Sequence, residues 1–183
     1  IVIEELNMSD AEIQEITKIH IVACGSAYHT GVTAKYVIEG LARIPVEVDV
    51  ASEFRYRDPI LQKGNMVIVI SQSGETADTL AALRESKEKG FKVLGIVNVV
   101  GSSIAREADS VMYTWAGPEI AVATTKAYSA QLTALYMLAM KFAKVRGTID
   151  QEKFQSMLTD LRCLPDQIEL LLGQKEKIQH FAN

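Results

Sequence analysis

Five short runs of apolar residues alternate along this chain with segments of helical spacing, and this alternation constrains the fold more than any other feature. The runs predict strands, and they lie at residues 19–23, 46–51, 66–70, 92–97 and 110–115. A solvated antiparallel sheet alternates polar and apolar positions, whereas the strands of a parallel sheet covered on both faces are apolar almost throughout. The pattern therefore predicts an α/β fold, a three-layer αβα sandwich with a five-stranded parallel sheet.

Helical spacing predicts helices between and after these strands, at residues 28–43, 52–57, 75–89, 103–108 and 125–145. Residues 149–183 carry no strand signal, and their helical patterns are expected to break at Pro165 and Gly173. We therefore predict a sandwich domain over residues 1–148 and a C-terminal helical linker segment over residues 149–183. Because the chain has no initial methionine and stops within an amphipathic segment, we expect a domain of a longer polypeptide.

The composition argues against several classes of function. A chain of 183 residues with 48% apolar content is large enough to bury a core. No apolar stretch approaches the length of a membrane span, and the first eight residues mix glutamates into their apolar positions, unlike a signal peptide. The net charge of −4 and the lack of a basic tract argue against nucleic acid and anionic membranes as partners. We expect a cytoplasmic protein.

The cysteines and histidines show no spacing that is typical of a metal or redox site. Cys24 and Cys163 lie far apart, and no disulfide is expected in a reducing compartment. His20, His29 and His180 form no local ligand cluster, whereas a metal site needs at least three converging groups. We therefore expect no bound metal and no cofactor.

A segment rich in uncharged donors, residues 71–76, directly follows the most apolar strand. The first amides of a helix lack intrahelical acceptors and lie at the positive end of its dipole, so this junction is suited to hold a phosphate. Gly74 allows the loop to approach a ligand closely. One hydroxyl here would be explained most simply as a helix cap, but four donors favour a ligand site. These donors are Ser71, Gln72, Ser73 and Thr76.

The kind of phosphate ligand is restricted by what this segment lacks. It contains neither Gly-Lys-Ser/Thr, as in nucleotide P-loops, nor the dinucleotide pattern Gly-x-Gly-x-x-Gly. A small phosphorylated metabolite is therefore expected. In parallel sheets such ligands bind at the carboxyl edge, at a topological switch point. Three segments follow strands and should lie at that edge, and these are residues 24–26, 71–76 and 116–125.

Four segments together resemble one family of enzymes. They are Cys24 to Tyr28, Ala51 to Arg57, Ser71 to Thr79 and Glu119 to Ala127. Over almost its whole length the chain is similar to the glucosamine-6-phosphate synthases, specifically to the first of the two sugar isomerase (SIS) domains in their isomerase part. The loop that begins at Ser71 alone indicates only the SIS superfamily, whereas residues 52–57 and 123–126 are more specific to these enzymes.

The resemblance implies a flavodoxin-like SIS fold and a role in an aminotransferase that makes glucosamine 6-phosphate from fructose 6-phosphate and glutamine. It also implies a parent chain with a second SIS domain and a glutaminase domain, a homodimer, and fructose 6-phosphate or glucose 6-phosphate as the ligand. Carried over by position, the phosphate is held by Ser71, Gln72, Ser73 and Thr76. The residues that line the sugar are Cys24, Gly25, Ser26, Val122 and Thr124.

No residue of this chain matches a catalytic residue of the family. The base, a lysine amine and a histidine that assists ring opening lie beyond the position of Asn183 in these enzymes, and the glutaminase cysteine lies before Ile1. The chain alone is therefore expected to bind a sugar phosphate without converting it. The family usually has Thr-Ser where this chain has Ser26 and Ala27, so a side-chain contact at position 27 is not carried over. Thr124 replaces a common serine and keeps the hydroxyl.

Several residues keep two interpretations. Cys24 packs with a backbone contact or contacts the sugar, and Glu119 faces the sugar or opens a helix. Arg55 and Arg57 could bind a phosphate, but their spacing on a short surface helix favours an ion-pair network or a subunit contact. Lys126 opens a helix, where the dipole disfavours a cation, so a partner carboxylate or ligand is expected.

A rival function also stays open at this point. The SIS module of a transcriptional regulator would use the same phosphate cradle to sense a sugar phosphate without catalysis. A stand-alone isomerase would need its own base, and no histidine or glutamate pair in the sequence is convincing as one.

Overall fold

The computed structural model of the protein describes residues 3, 6–121 and 124–182, and these contain a five-stranded, all-parallel sheet in the order β2-β1-β3-β4-β5. The strands are β1 Lys18–Ala23, β2 Val46–Val50, β3 Asn65–Ser71, β4 Lys92–Val97 and β5 Ser110–Tyr113. The order is that of flavodoxin-like doubly wound folds. The predicted α/β fold with five parallel strands is confirmed.

The helices of the described residues follow the strands in the predicted places, with one addition near the start. They are α1 Asp10–Gln14, α2 Gly25–Ala42, α3 Ala51–Tyr56, α4 Ala77–Glu88, α5 Ser103–Glu107, α6 Lys126–Arg146, α7 Gln151–Leu172 and α8 Lys175–Ala182. The addition is α1, which begins with a capping box between Ser9 and Glu12.

Successive residues of β1 show how the layers are built. Ile21 faces α2, and the approach is so close that a Cβ at Gly31 would lie 2.8 Å from Ile21 Cγ2. The next side chain, Val22, points to the opposite face, because strand side chains alternate. There it joins a buried cluster with Phe54 of α3 and Leu83 of α4. The sheet is therefore covered on both faces, as its apolar strands require.

The chain divides into two compact units, Ile1–Thr148 and Ile149–Asn183. The first contains the sheet, and the second contains α7 and α8. The predicted break at Pro165 is wrong, because this proline lies inside α7. A proline removes one intrahelical hydrogen bond, and the 22-residue helix continues through it. Among the described residues, no helix combines the length and the apolar character needed to cross a bilayer.

Arg146, the last residue of α6, joins three parts of the first unit. Its Nε donates to the carbonyl of Ala42 at the end of α2 at 3.1 Å, and its Nη1 donates to the carbonyls of Gln14 and Ile16 at 3.0 Å each. The last carbonyls of a helix have no intrahelical donor, and a cation is favourable there because of the helix dipole. Arg146 therefore stabilises the ends of α1 and α2 together.

We expect Arg146→Met to lower the free energy of unfolding by about 1–3 kcal/mol, because several carbonyls lose a charged donor. Urea denaturation of the 183-residue chain measures this change. The control is Lys141→Met on the same helix, which removes an ion pair with exposed Asp10 and should cost less than about 1 kcal/mol. Equal losses in the two variants would contradict the clamping role of Arg146.

Candidate functional site

A cavity of about 480 Å³ lies at the carboxyl edge of the sheet, within the size range of small-molecule sites. Its walls are the loops that follow β1, β3 and β5, together with parts of α2 and α6. Eight of the predicted site residues line it, and these are Cys24, Gly25, Ser26, Ser71, Gln72, Ser73, Thr76 and Thr124. The ninth, Val122, lies outside the described residues.

Two helix N-termini at this cavity have no side-chain cap. Cys24 is the N-cap residue of α2 and Thr76 that of α4, and neither side chain accepts a hydrogen bond from its helix. The first amides of a helix need an acceptor, and an anion supplies one in the direction that the helix dipole favours. Since both residues also line the cavity, an anion bound between them completes both helices.

The loop between β3 and α4 is held in shape by its own hydroxyls. Ser71 is buried, with 3% of its surface exposed, and its Oγ accepts the amide of Gly74 at 3.0 Å and pairs with Thr76 Oγ1 at 2.9 Å. Ser73 Oγ accepts the amide of Glu75 at 3.2 Å. The loop is thus preorganised, with Ser71 and Thr76 bonded to each other and Ser73 and Gln72 half-buried at the cavity.

The outer side of this loop is attached to α5. The carbonyl of Gly74 accepts the amide of Ile104 at 3.0 Å, and Glu75 Oε1 accepts the amide of Ser103 at 2.7 Å. This backbone hydrogen bond lowers the pKa of Glu75, so its carboxylate stays ionised at the start of α5. Glu75 does not line the cavity. Its negative charge therefore interacts with the first amide of α5 and does not lie in the cavity wall.

Gly74 is the residue that permits both the loop shape and this attachment. Its φ of +68° lies in the left-handed region, and a Cβ there would lie 2.0 Å from the Oγ of buried Ser102. Gly101 has a similar φ of +73° but open space around it. An alanine at either position would strain the backbone, but only at Gly74 would it also clash with neighbouring atoms. Comparing the two substitutions therefore distinguishes the two effects.

We expect Gly74→Ala to destabilise the protein more than Gly101→Ala, by about 1–3 kcal/mol, because only the former adds overpacking to the strain. Thermal unfolding of both variants measures the difference. Adding Ser102→Gly to Gly74→Ala removes the clashing atoms and should recover part of the loss. If the double variant is no more stable than Gly74→Ala, contact with Ser102 is not what limits this position.

Another wall of the cavity is formed by the segment between β5 and α6. Thr124 Oγ1 donates to the Glu119 carboxylate and accepts the amide of Ala127 at 3.2 Å. The hydroxyl of Thr124 lowers the pKa of Glu119, which is the one charged residue among the described residues that line the cavity. The first-turn interpretation of Glu119 is wrong, since it lies before α6 in the loop. Lys126 Nζ donates to the carbonyl of Pro118, and its charge also helps to lower the pKa of Glu119, so the predicted carboxylate partner is present.

Two buried polar residues at or beside the site were not predicted. Ser102 contacts Gly74, and its hydroxyl has no hydrogen-bond partner within the described part of the chain. Gln131 of α6 lines the cavity, and its Oε1 is likewise unpartnered there. Helical spacing could have indicated Gln131, because it lies four residues from Ala127 and from Leu135 and is therefore a polar residue on the apolar side of the helix.

Cys24 and the two arginines have contacts that bear on their two interpretations. Cys24 is half-buried against the core cluster and lies 3.9 Å from the hydroxyl of Thr79, which agrees with packing. Arg55 pairs with Asp78 at 3.4 Å. Arg57 contacts the carboxylates of Glu47 and Asp49, the latter at 2.7 Å. The ion-pair interpretation of both arginines agrees with these contacts.

The same network contains a buried histidine, in a cluster that is not local in the sequence and was therefore not predicted. His20 on β1 is 1% exposed, and its Nδ1 lies 4.0 Å from Glu47 Oε2. Its ring nitrogens and the carboxylates of Glu47 and Asp49 are close enough to surround a metal ion. Lys18 and Arg57 already neutralise these carboxylates, so the charge balance disfavours a divalent cation.

Burial lowers the pKa of His20 from its ordinary value of 6.5, and the charge of Lys18 adds to this effect against the opposing carboxylates of Glu47 and Asp49. The unfolded chain therefore binds a proton at this residue before the folded chain does. Stability should fall as the pH drops below about 6.5, and His20→Gln should remove that part of the loss. Urea midpoints between pH 7.5 and 5.5 measure it, and equal slopes in both proteins would contradict it.

Comparison with known proteins agrees with the geometry. The family model described as SIS domain matches residues 12–141. This match covers the sheet and α6 as far as residue 141, and the chain therefore belongs to the SIS domain family.

The full chain is also similar to named enzymes, which confirms the resemblance found in its motifs. It is 60% identical over 183 residues to the glutamine–fructose-6-phosphate aminotransferase (isomerizing) of Caldanaerobacter subterraneus subsp. tengcongensis. The alignment covers 100% of this chain and 30% of that protein. It is 57% identical over 180 residues to the enzyme of the same name from Clostridium acetobutylicum, covering 98% of this chain and 30% of that protein. The chain thus spans about 30% of the length of these relatives.

A solved structure has the same fold. The C-terminal domain of glucosamine-fructose-6-phosphate aminotransferase from Francisella tularensis superposes with a TM-score of 0.91 at 37% identity. The match covers 98% of this chain and 52% of that one. The arrangement of elements that builds the cavity is therefore shared with a larger domain of that enzyme.

Proposed function

We propose that the cavity binds the phosphate of a sugar phosphate, fructose 6-phosphate or glucose 6-phosphate, through Ser71, Gln72, Ser73 and Thr76. The observation that carries this proposal is the meeting of two uncapped helix N-termini, those of α2 and α4, at one cavity. Charge supports the orientation, because the phosphate favours the donor-rich loop and not the wall that carries Glu119. The sugar then extends along Cys24, Gly25 and Ser26 toward Thr124, with Val122 in the same segment.

The proposal extends to the parent protein. We infer that this chain is the sugar-phosphate-binding part of a cytoplasmic, homodimeric aminotransferase that makes glucosamine 6-phosphate from fructose 6-phosphate and glutamine. Its similarity over the whole chain to enzymes of that name supports this role. In the parent, a second SIS domain and a glutaminase domain supply the base, the amine and the ammonia. The regulator hypothesis has less support, because the relatives compared above are named as aminotransferases.

Fructose 6-phosphate is expected to raise the melting temperature of the 183-residue chain, because a ligand that binds only the folded state stabilises it by mass action. Fructose without phosphate should leave the melting temperature nearly unchanged, since the loop donors then lack their anion. Differential scanning fluorimetry with glucose 6-phosphate, fructose 6-phosphate and fructose measures the three shifts. Equal shifts with fructose and its phosphate would refute phosphate recognition.

The loop itself is tested by Ser73→Ala, which removes a donor at the cavity without touching the Ser71–Thr76 pair. Binding of fructose 6-phosphate should weaken by about 1–3 kcal/mol, the usual loss for a hydrogen bond to a charged group. The control is Ser156→Ala at an exposed position of α7, which should bind as the unchanged protein does. Unaltered affinity in a folded Ser73 variant would exclude this hydroxyl from the site.

A further inference from the structure

Gln131 is a buried polar side chain that the packing of α6 does not explain. It lies one helical turn after Ala127 and one before Leu135, and both of these residues are buried on the same side of the helix. Only 2% of its surface is exposed, and its Oε1 has no hydrogen-bond partner in the described part of the chain. The same side chain lines the cavity beside the Ser71 loop.

An unpartnered amide oxygen at a core position is unfavourable for the folded protein alone. Native proteins pair nearly all buried polar atoms, and leaving one unpaired destabilises the fold. Two other residues that line the cavity, Ala27 and Ile70, have side chains without any donor or acceptor. An apolar residue of similar size would fit this place better. The glutamine therefore becomes favourable when something inside the cavity bonds to it.

The chemistry of an amide indicates what that partner is. A glutamine side chain offers one acceptor oxygen and an NH₂ group with two donors. A hydroxyl both donates and accepts, so it satisfies either end of the amide, whereas the dianionic phosphate group of a sugar phosphate has no hydrogen to donate to Oε1. We propose that Gln131 bonds a hydroxyl of the sugar carbon chain and thereby distinguishes a phosphorylated sugar from phosphate alone. This inference rests on the proposed function of the cavity.

The proposal predicts opposite effects on stability and on binding in one variant. Gln131→Met keeps a side chain of similar length and removes both kinds of hydrogen-bonding group. The unliganded variant should melt at a higher temperature than the unchanged protein, because the buried unpaired amide is gone. Its affinity for fructose 6-phosphate should fall about tenfold, while its affinity for inorganic phosphate stays the same. Calorimetric titration with the two ligands measures both affinities.

Leu135→Met is the matched control, one turn further along the same buried side of α6. It repacks the core without removing a polar group, so it should leave both affinities unchanged. Gln131→Asn is a second variant, which keeps the amide on a shorter side chain and should show a smaller loss for fructose 6-phosphate. It also provides a folded test if the methionine variant does not fold.

The outcomes separate this inference from the function on which it rests. If neither ligand binds the unchanged protein, the proposed function fails. If both bind it, but Gln131→Met binds fructose 6-phosphate as tightly as before, Gln131 has no role in the sugar contact. Equal weakening for fructose 6-phosphate and phosphate would also overturn the inference, since it would show a structural effect on the whole cavity. Only a loss confined to the sugar phosphate supports it.

Discussion

The parallel pairing of β1 with β3 is the interaction on which the rest of the site depends. In this register Ala23 lies beside Ile70, so the chain leaves the sheet at two neighbouring points. The two helices that follow cover opposite faces, because α2 packs on Ile21 and α4 packs in the cluster that contains Val22. A crevice therefore opens between their N-termini. Neither loop alone forms it, and any sequence change that shifts this register would move both sets of donors.

The described residues that line the site include many donors but no cation, and this determines which ligand the site suits. Amides at helix N-termini and hydroxyls stabilise an anion through many short hydrogen bonds, which depend on exact placement more than a flexible lysine does. The structure provides that placement through the Ser71–Thr76 pair inside the loop and through Glu75 and Gly74 on α5. The negative Glu119 on the far wall opposes a second anionic group there. One phosphate at one end and uncharged hydroxyls toward the other is the arrangement that this charge distribution favours.

Sequence patterns predicted the sheet and the carboxyl-edge loops, because apolar periodicity and the order of elements are local signals. Two predictions from local rules were wrong or missing, one about proline as a helix breaker and one about the cap that begins a helix. Pro165 does not end α7, and the Ser9–Glu12 capping box that starts α1 was present in the sequence but not used. The contact of His20 with Glu47 joins two strands across 26 intervening positions, so no local spacing reveals it. Gln131 can be recognised in the sequence as a polar residue on an apolar helix face. The cavity that it lines cannot, because its walls come from segments that are far apart in sequence.

The places where this protein departs from ordinary packing rules lie mostly at one edge of the sheet. Cys24 and Thr76 begin helices without capping them, and Gln131 buries an unpaired oxygen. Each of these destabilises the unliganded fold, and selection for stability alone would remove them. Other departures lie away from the cavity, since buried His20 belongs to a charge network with residues of β1 and β2, and α3 also begins without a side-chain cap. Because a ligand with one phosphate and several hydroxyls would supply the missing partners at the cavity, the proposed function gives these three departures a single physical explanation.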